Sequence, residues 1–114
     1  MDNCLFCKII SGKIDAQKVY EDDLLIGIND INPQAPTHIL IIPKKHCATI
    51  MEIEEADQNS IGSIYIAIQK IARNRRIAES GFRVVVNCNL DAGQSVFHIH
   101  FHLLGGRVME WPPG

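Results

Sequence analysis

Three of the chain's five histidines, His98, His100 and His102, stand two residues apart in the stretch Gln94-Ser95-Val96-Phe97-His98-Ile99-His100-Phe101-His102-Leu103-Leu104-Gly105-Gly106. Imidazole changes charge near neutral pH, and its neutral form can act as nucleophile, proton carrier or metal ligand. Apolar Ile99, Phe101 and Leu103 alternate with the histidines. A period of two belongs to a half-buried β-strand, whereas a helix would swing His100 about 200° away from His98. Residues 98–104 are therefore expected to form a strand. Its imidazoles would share one face at roughly 7 Å intervals, with Ile99, Phe101 and Leu103 in the core on the other. A solvent face is more readily filled by Thr, Lys or Glu, which argues against a surface strand that merely happens to be rich in histidine.

A second set of chemical groups opens the chain. Of the four cysteines, Cys4 and Cys7 form a Cys-x-x-Cys pair, while Cys47 and Cys88 carry no motif and are read as small packing residues. Without a secretory context, such a pair points to a metal clamp or a redox dithiol rather than a disulfide staple. The strand-to-helix setting of a thioredoxin-like redox motif is missing. Cys4, Cys7, His46 and one histidine of the 98–102 run would together supply two thiolates and two imidazoles, the donor set of structural zinc. A catalytic zinc held by all three alternating histidines is the weaker reading, because a flat strand separates the outer two by roughly 13 Å.

The same histidines also suit covalent catalysis. A neutral imidazole can attack phosphorus to give a phosphoramidate-type intermediate that water later breaks. Such a site needs hydrogen-bond donors around the phosphoryl group. The backbone of Gly93-Gln94-Ser95, the Ser95 hydroxyl, the Asn87 amide and a neighbouring histidine can supply them.

The elements that must position these groups are short. Residues 4–11 read as a helical turn stopped by Gly12, with Leu5 and Ile9, and also Phe6 and Ile10, toward the core and with Cys4 and Cys7 on one face. Residues 18–21 and 24–29 are strand candidates joined at Asp22-Asp23. A loop with Pro33 and Pro36 leads to the aliphatic run 38–42, a central strand closed by Pro43. One long helix is expected over about residues 54–80, its stripe formed by Ile61, Ile64, Tyr65, Ile68, Ile71 and Ala72, with Gly81 as the stop. Acidic Glu54, Glu55 and Asp57 and basic Arg73, Arg75 and Arg76 complement its dipole. Residues 82–86 form another strand, and 87–95 a polar loop. Trp111, between Met109 and two prolines, is expected to dock on a surface. The order implies an α+β domain, an antiparallel sheet with helices packed on one side.

The 114 residues suit a single domain spanning 1–114, and 46% hydrophobic and 21% charged residues are ordinary for a soluble globule. A net charge of −2 argues against nucleic acid as a partner and favours a small molecule; the clusters at Lys44-Lys45 and Arg73, Arg75, Arg76 read as solvated faces. No apolar run approaches the roughly 18 residues of a membrane span, and Met1-Asp2-Asn3-Cys4 lacks a secretory start, so no membrane association and a cytoplasmic location are expected.

The run 94–107 resembles the His-x-His-x-His signature of the histidine triad (HIT) superfamily, and specifically its HINT branch of nucleoside phosphoramidases. The resemblance continues through Phe6-x-Lys8-Ile9-Ile10, Tyr20-Glu21-Asp22-Asp23, Asp30-Ile31-x-Pro33-Gln34-Ala35-Pro36-Thr37-His38, Ile42-Pro43-Lys44-Lys45-His46 and Trp111-Pro112-Pro113-Gly114. It implies a HIT-like fold, a five-stranded antiparallel sheet with one long and one short helix packed on it. Two copies would form a homodimer with a continuous ten-stranded sheet. It also implies hydrolysis of purine nucleoside 5′-phosphoramidates, such as AMP-amine, AMP-lysine or aminoacyl-adenylates, through a nucleotidyl-histidine, with binding of AMP and GMP.

By that resemblance His100 is the nucleophile and His102 contacts phosphate. His38 supports the nucleophile, and Ser95 lies near the leaving group. Asn87, Gly93, Gln94 and Ser95 hold phosphate, Asp30 takes the ribose hydroxyls, and Phe6, Ile9, Ile14, Ile31 and Leu40 wall the base. Trp111 reaches the neighbouring subunit's site. The animal members nearest this pattern lack Cys-x-x-Cys; other HIT proteins bind zinc through it, which here implies Cys4, Cys7, His46 and His98 and one structural zinc per chain. Cleavage of dinucleoside polyphosphates, or a nucleotide-binding interaction module with residual turnover, are the alternatives. Gly105-Gly106 and the Trp111 tail favour the phosphoramidase.

Overall fold

The computed structural model describes residues 3–114. The chain begins with α1 (Leu5–Ile10), followed by the strands β1 (Lys18–Glu21), β2 (Leu25–Asn29) and β3 (Thr37–Pro43). Helix α2 (Gln58–Asn74), β4 (Phe82–Val85) and β5 (Phe101–Gly105) complete it, with short 3-10 turns before α2 and between the last two strands. The five strands form one sheet in the order β1-β2-β3-β5-β4, antiparallel throughout. All seven residues of β3 are buried, as its unbroken aliphatic run requires of a strand covered on both faces.

The expectation that both helices lie on one side of the sheet is corrected. Leu25, Ile39, Ile41, Ile99, Phe101 and Leu103 pack with Ile64, Ala67, Ile68 and Ile71 of α2. The alternate residues Ile26, Ile28, Leu40 and Ile42 pack with Phe6 and Ile9 of α1. Because β2 and β3 carry aliphatic residues on both of their faces, the sheet has two apolar faces, and each needs its own cover.

Helix α1 is short but closed at both ends. The Cys4 sulfur accepts the Cys7 N–H at 3.3 Å at its start. At its end Gly12 takes φ +83, and the bonds Gly12 N–H to Ile9 O (3.1 Å) and Lys13 N–H to Lys8 O (2.8 Å) complete a Schellman closure. Phe6 and Ile9 are its buried residues, while Leu5 remains 43% exposed.

Helix α2 is shorter than the expected 54–80. A 3-10 turn over Glu55–Asp57 precedes it, closed by the Glu54 N–H donating to the Asp57 carboxylate at 3.0 Å. Its C-terminus comes at Asn74 because Arg76 adopts φ +59 and the Ile77 N–H reaches back to Ala72 O at 3.0 Å. The closure drops Ile77 into the core, 4% exposed, against Gly105. Burying an isoleucine is worth about 1.5–3 kcal/mol, more than the left-handed conformation costs at Arg76. The sequence stripe survives except at Tyr65, which is 50% exposed, and Ile61, which is only partly buried. Gly81, expected as the stop, instead takes φ +107 in the turn into β4.

The strand carrying the histidines begins at Phe101, three residues later than expected. The β3–β5 ladder runs from Thr37↔Gly105 to Ile41↔Phe101. Beyond that pair it would meet Pro43, which has no N–H to donate. The chain instead bends at His98, and the Ile99 N–H bonds to Cys47 O at 2.7 Å. The alternation persists through the bend, with Ile99 in the α2-side core alongside Phe101 and Leu103. Of the lysines read as solvated, Lys45 is exposed and pairs with Asp57 at 2.8 Å, whereas Lys44 is half-buried and pairs with Glu21 at 2.9 Å. Among the described residues no helix is long and apolar enough to cross a membrane.

Candidate functional site

Two centres adjoin at His98 and His100, on the α1 side of the sheet. The first gathers Cys4, Cys7, His46 and His98, whose donor atoms all lie within 4.8 Å of one another. Cys4 Sγ and Cys7 Sγ stand 3.2 and 3.5 Å from His98 Nδ1, His46 Nδ1 stands 3.4 Å from Cys7 Sγ, and the two Nδ1 atoms are 3.1 Å apart. A tetrahedral ion with bonds of about 2.0–2.3 Å holds its ligands about 3.3–3.8 Å apart, so small adjustments admit one. The His98 ring is fully buried, and its Nε2–H donates to Pro43 O at 2.7 Å. That bond commits the Nδ1 lone pair to the two sulfurs, as a metal-bound histidine requires. Burial, together with the hydrogen bond and charge of neighbouring Cys4, pushes the Cys7 thiol up. A cation between them would offset that penalty. These four residues therefore fit a metal ion.

The second centre is built by tautomers. His100 Nδ1–H donates to His98 O at 2.8 Å, which leaves Nε2 as the lone-pair nitrogen. The ring is 8% exposed and packs edge-on to Phe6 at 5.0 Å between centroids. On β3, His38 Nδ1 accepts the Gln34 N–H at 3.0 Å, so its proton sits on Nε2. That nitrogen faces His102 Nδ1 at 2.9 Å and Asp30 Oδ2 at 3.4 Å. His102 Nδ1 is thus the acceptor, and its Nε2 carries the proton. Asp30, His38 and His102 are close enough together to suggest a metal site. The proton that Gln34 forces onto His38 Nε2 points into that gap, and the trio reads as a hydrogen-bond relay instead.

Burial lowers the pKa of His98, His100, His38 and His102; neighbouring His100 and His38 add to the effect on His102, which falls to about 4. Neutral His100 with a free Nε2, next to a neutral His102 presenting N–H, is a nucleophile beside a donor.

A cavity of about 450 Å³ opens over this pair. It brings together nine of the expected residues: Phe6, Ile9, Ile14 and Leu40 along the apolar part, Asp30 and Ile31, and Ser95, His100 and His102. Ile31 stands fully exposed on the rim. Gln17 and Asn29 also line it and were not expected; neither carries a motif, and only the register of β1 on β2 brings them there. Val96, also unexpected, shares the wall with Ser95. The N–H groups of Ser95 and Val96 make no hydrogen bond among the described residues, which leaves two donors for an anion.

Five expected residues do not line this cavity. His38 lies behind His102 as its support. Gln94 is buried, and its side chain clamps the loop: Oε1 accepts the Asn89 N–H at 2.8 Å, while Nε2 donates to Ala48 O at 2.8 Å and Val96 O at 3.1 Å. Gly93 turns the loop at φ +81. Asn87 is half-buried outside the lining. Trp111 is 82% exposed, with the Arg83 guanidinium 6.0 Å from its ring centroid, so within this chain the expected docking is limited to that contact.

The position of Gln34 is set from the far side of the loop. Arg107 Nε donates to Gln34 O at 2.9 Å. Gly106, at φ +91, lies so close to Pro36 that an added Cβ would fall 2.9 Å from the proline ring.

Comparison with known proteins agrees with this geometry. The model of the HIT domain family matches residues 11–109. The chain is 44% identical over 108 residues to the purine nucleoside phosphoramidase of Escherichia coli K12, covering 95% of this chain and 91% of that protein. A HIT family hydrolase from Legionella pneumophila superposes with a TM-score of 0.96 at 53% identity, over 98% of this chain and all of the other. A zinc-bound histidine triad family protein from Mycobacterium smegmatis superposes with a TM-score of 0.81 at 34% identity, over 93% and 76% of the two chains. With its histidines so arranged and its length so matched, the chain belongs to the HIT domain family.

Proposed function

We propose that the protein hydrolyses purine nucleoside 5′-phosphoramidates, binding AMP or GMP in the 450 Å³ cavity. The observation that carries this reading is the bond from His100 Nδ1–H to His98 O, which reserves His100 Nε2 for attack. Nε2 attacks the α-phosphorus, the P–N bond to the amine breaks, and the amine departs past Ser95 with a proton taken from solvent, to which the attacking water of the second step returns one. His102 Nε2–H and the Ser95 and Val96 N–H groups bond the phosphoryl oxygens as charge builds there. Water then attacks phosphorus, the P–Nε2 bond breaks, and the nucleotide leaves. Asp30 takes the ribose hydroxyls. Phe6, Ile9, Ile14, Ile31 and Leu40 hold the base, and Asn87, Gly93 and Gln94 shape the phosphate loop.

The ion of the Cys4, Cys7, His46 and His98 centre is zinc, in keeping with its two sulfur and two nitrogen donors. Bound there, it supplies structure, tying α1 to the segment whose carbonyl orients His100. The protein works as one HIT domain over 1–114, in the cytoplasm, as a homodimer with a ten-stranded sheet in which Trp111 reaches the neighbouring site. The edge position of β4 and the exposure of Trp111 support such an assembly. A sedimentation mass of one chain at micromolar concentration would overturn the dimer. Steady-state hydrolysis of a lysine-linked AMP phosphoramidate tests the activity: release of AMP and lysine is expected, and a protein that binds AMP but releases neither product would overturn it.

A further inference from the structure

The hydrogen-bond relay through His38 and His102 starts from a loop without regular structure, residues 30–36. The Gln34 N–H fixes the His38 proton on Nε2, and the His102 proton follows from it. If that N–H turns away, His38 Nδ1 is free to take the proton. His38 Nε2 then accepts, His102 Nδ1 donates, and His102 Nε2 is left with a lone pair. Each ring keeps one proton through the exchange, so the pair stays neutral, yet the N–H that bonds a phosphoryl oxygen is lost. Asp30 Oδ2, 3.4 Å from His38 Nε2, favours the working arrangement from the other end, because a lone pair on that nitrogen would face a carboxylate.

Gln34 does little to anchor itself. It is exposed, and its side chain reaches only Asn32 O, at 3.0 Å in the same loop. The tie to the sheet comes from beyond the end of β5. The β3–β5 ladder closes at Thr37↔Gly105, and the next residue on the loop side is Pro36, which has no N–H to continue it. Gly106, at φ +91, turns the chain against the Pro36 ring. That turn delivers Arg107, whose Nε donates to Gln34 O at 2.9 Å while Nη1 donates to Val108 O at 3.1 Å. A guanidinium holds its donors in one rigid plane, so the two carbonyls are fixed relative to each other. Arg107 has no carboxylate partner among the described residues, and it does not line the nucleotide cavity. Its bonds go to backbone carbonyls, one of them on the residue that sets the relay.

We propose that Arg107 is a positioning residue for the reaction: by holding the Gln34 carbonyl it keeps the Gln34 N–H on His38 Nδ1, and so keeps the His102 proton on Nε2, toward the phosphoryl group. The step it serves is that of the phosphoramidase reading above, on which this role rests, whereas the tautomers themselves are read without turnover.

Arg107→Met tests it, since methionine keeps an aliphatic stem and removes the donors. In the wild-type protein as purified, NMR spectra of the imidazole nitrogens should show His38 and His102 as Nε2–H tautomers. In Arg107→Met both should move toward Nδ1–H, while His100 stays Nδ1–H. With a lysine-linked AMP phosphoramidate, kcat should fall about three- to tenfold, the scale of one ordinary hydrogen bond, with KM, zinc content and melting temperature unchanged. Arg107→Lys, which can still donate to Gln34 O, should recover most of the rate and of the wild-type tautomers. Unchanged tautomers in Arg107→Met overturn the role whatever the rate does; a lower rate with a lower melting temperature and no tautomer change marks an ordinary structural contact. A tautomer shift that leaves kcat unchanged overturns it as well. If the tautomers respond as stated but not even the wild type hydrolyses the substrate, it is the phosphoramidase reading that fails, and the control of His102 by Arg107 stands.

Discussion

The two histidine clusters use the same side chain and the same device to opposite ends. In each, a backbone carbonyl takes the proton of one ring nitrogen and so decides what the other can do. Pro43 O holds His98 Nε2–H and turns Nδ1 toward Cys4 and Cys7. His98 O holds His100 Nδ1–H and frees Nε2. The first lone pair faces three other donors within 4.8 Å and is closed off. The second belongs to a ring lining an open cavity. A metal centre and a nucleophile two residues apart thus differ by which nitrogen the backbone claims, and the difference teaches that acceptor position rather than residue type assigns the role.

The sharpest way to break the comparison is to remove the free lone pair. His100→Ala should lower kcat by about a thousandfold or more, the scale of losing a covalent nucleophile, with AMP binding retained. Retention of configuration at a chiral phosphorothioate and acid-labile label on a histidine peptide should accompany wild-type turnover. Inversion, with a variant keeping more than about a hundredth of the wild-type rate, would reassign the triad.

Removing the closed centre should act more slowly and on the fold first. Purified protein should carry about one zinc per chain by elemental analysis. Cys4→Ser should release it and cost roughly 3 kcal/mol, read as a melting temperature lower by about 10 °C or more, because α1 loses its tie to the His98 segment. If zinc is absent from reduced protein prepared without chelator, the centre is a hydrogen-bonded cluster instead.

Disturbing only the tautomer should cost less again. His38→Ala removes the donor to His102 Nδ1, letting that ring take the wrong tautomer, and should lower kcat/KM about 10–100-fold with zinc content unchanged. Equal loss of zinc would show that the two centres are not separable in this way.

The smallest effect expected is in stability against pH. The His102 pKa, about 4 in the fold, lies below that of an unfolded histidine near 6.5. Between these values the unfolded chain binds more protons, so stability is complete above about pH 6.5 and declines as pH falls toward about 4. Urea midpoints at neutral pH and at about pH 5 should differ in that sense, and His102→Gln should reduce the difference.

Much of the site could be read from local pattern. The alternation of Ile99, Phe101 and Leu103 announced one buried face, and the Cys4-x-x-Cys7 spacing announced paired thiols, because both depend on neighbours in sequence. The roles of Gln94 and His38 were less legible. A glutamine beside a phosphate loop reads as a ligand; here its three hydrogen bonds to backbone groups of residues 48, 89 and 96 hold the loop. Gln17 and Asn29 of the cavity had no signal at all, since strand register alone brings them there.

The sequence by itself determined the strands, the apolar periodicity, the candidate ligands and the family resemblance, all of which are carried by residue type and short spacing. Only the tertiary structure decided that the helices cover opposite faces, because an aliphatic run does not say which neighbour takes which side. It alone decided that α2 stops at Asn74, since Arg76 turns left-handed so that Ile77 can meet Gly105. And it alone assigned the proton on each imidazole. A tautomer depends on which acceptor or donor lies about 3 Å from which nitrogen, and the chain brings the carbonyls of Pro43 to His98 and of His98 to His100, and the N–H of Gln34 to His38, only when folded.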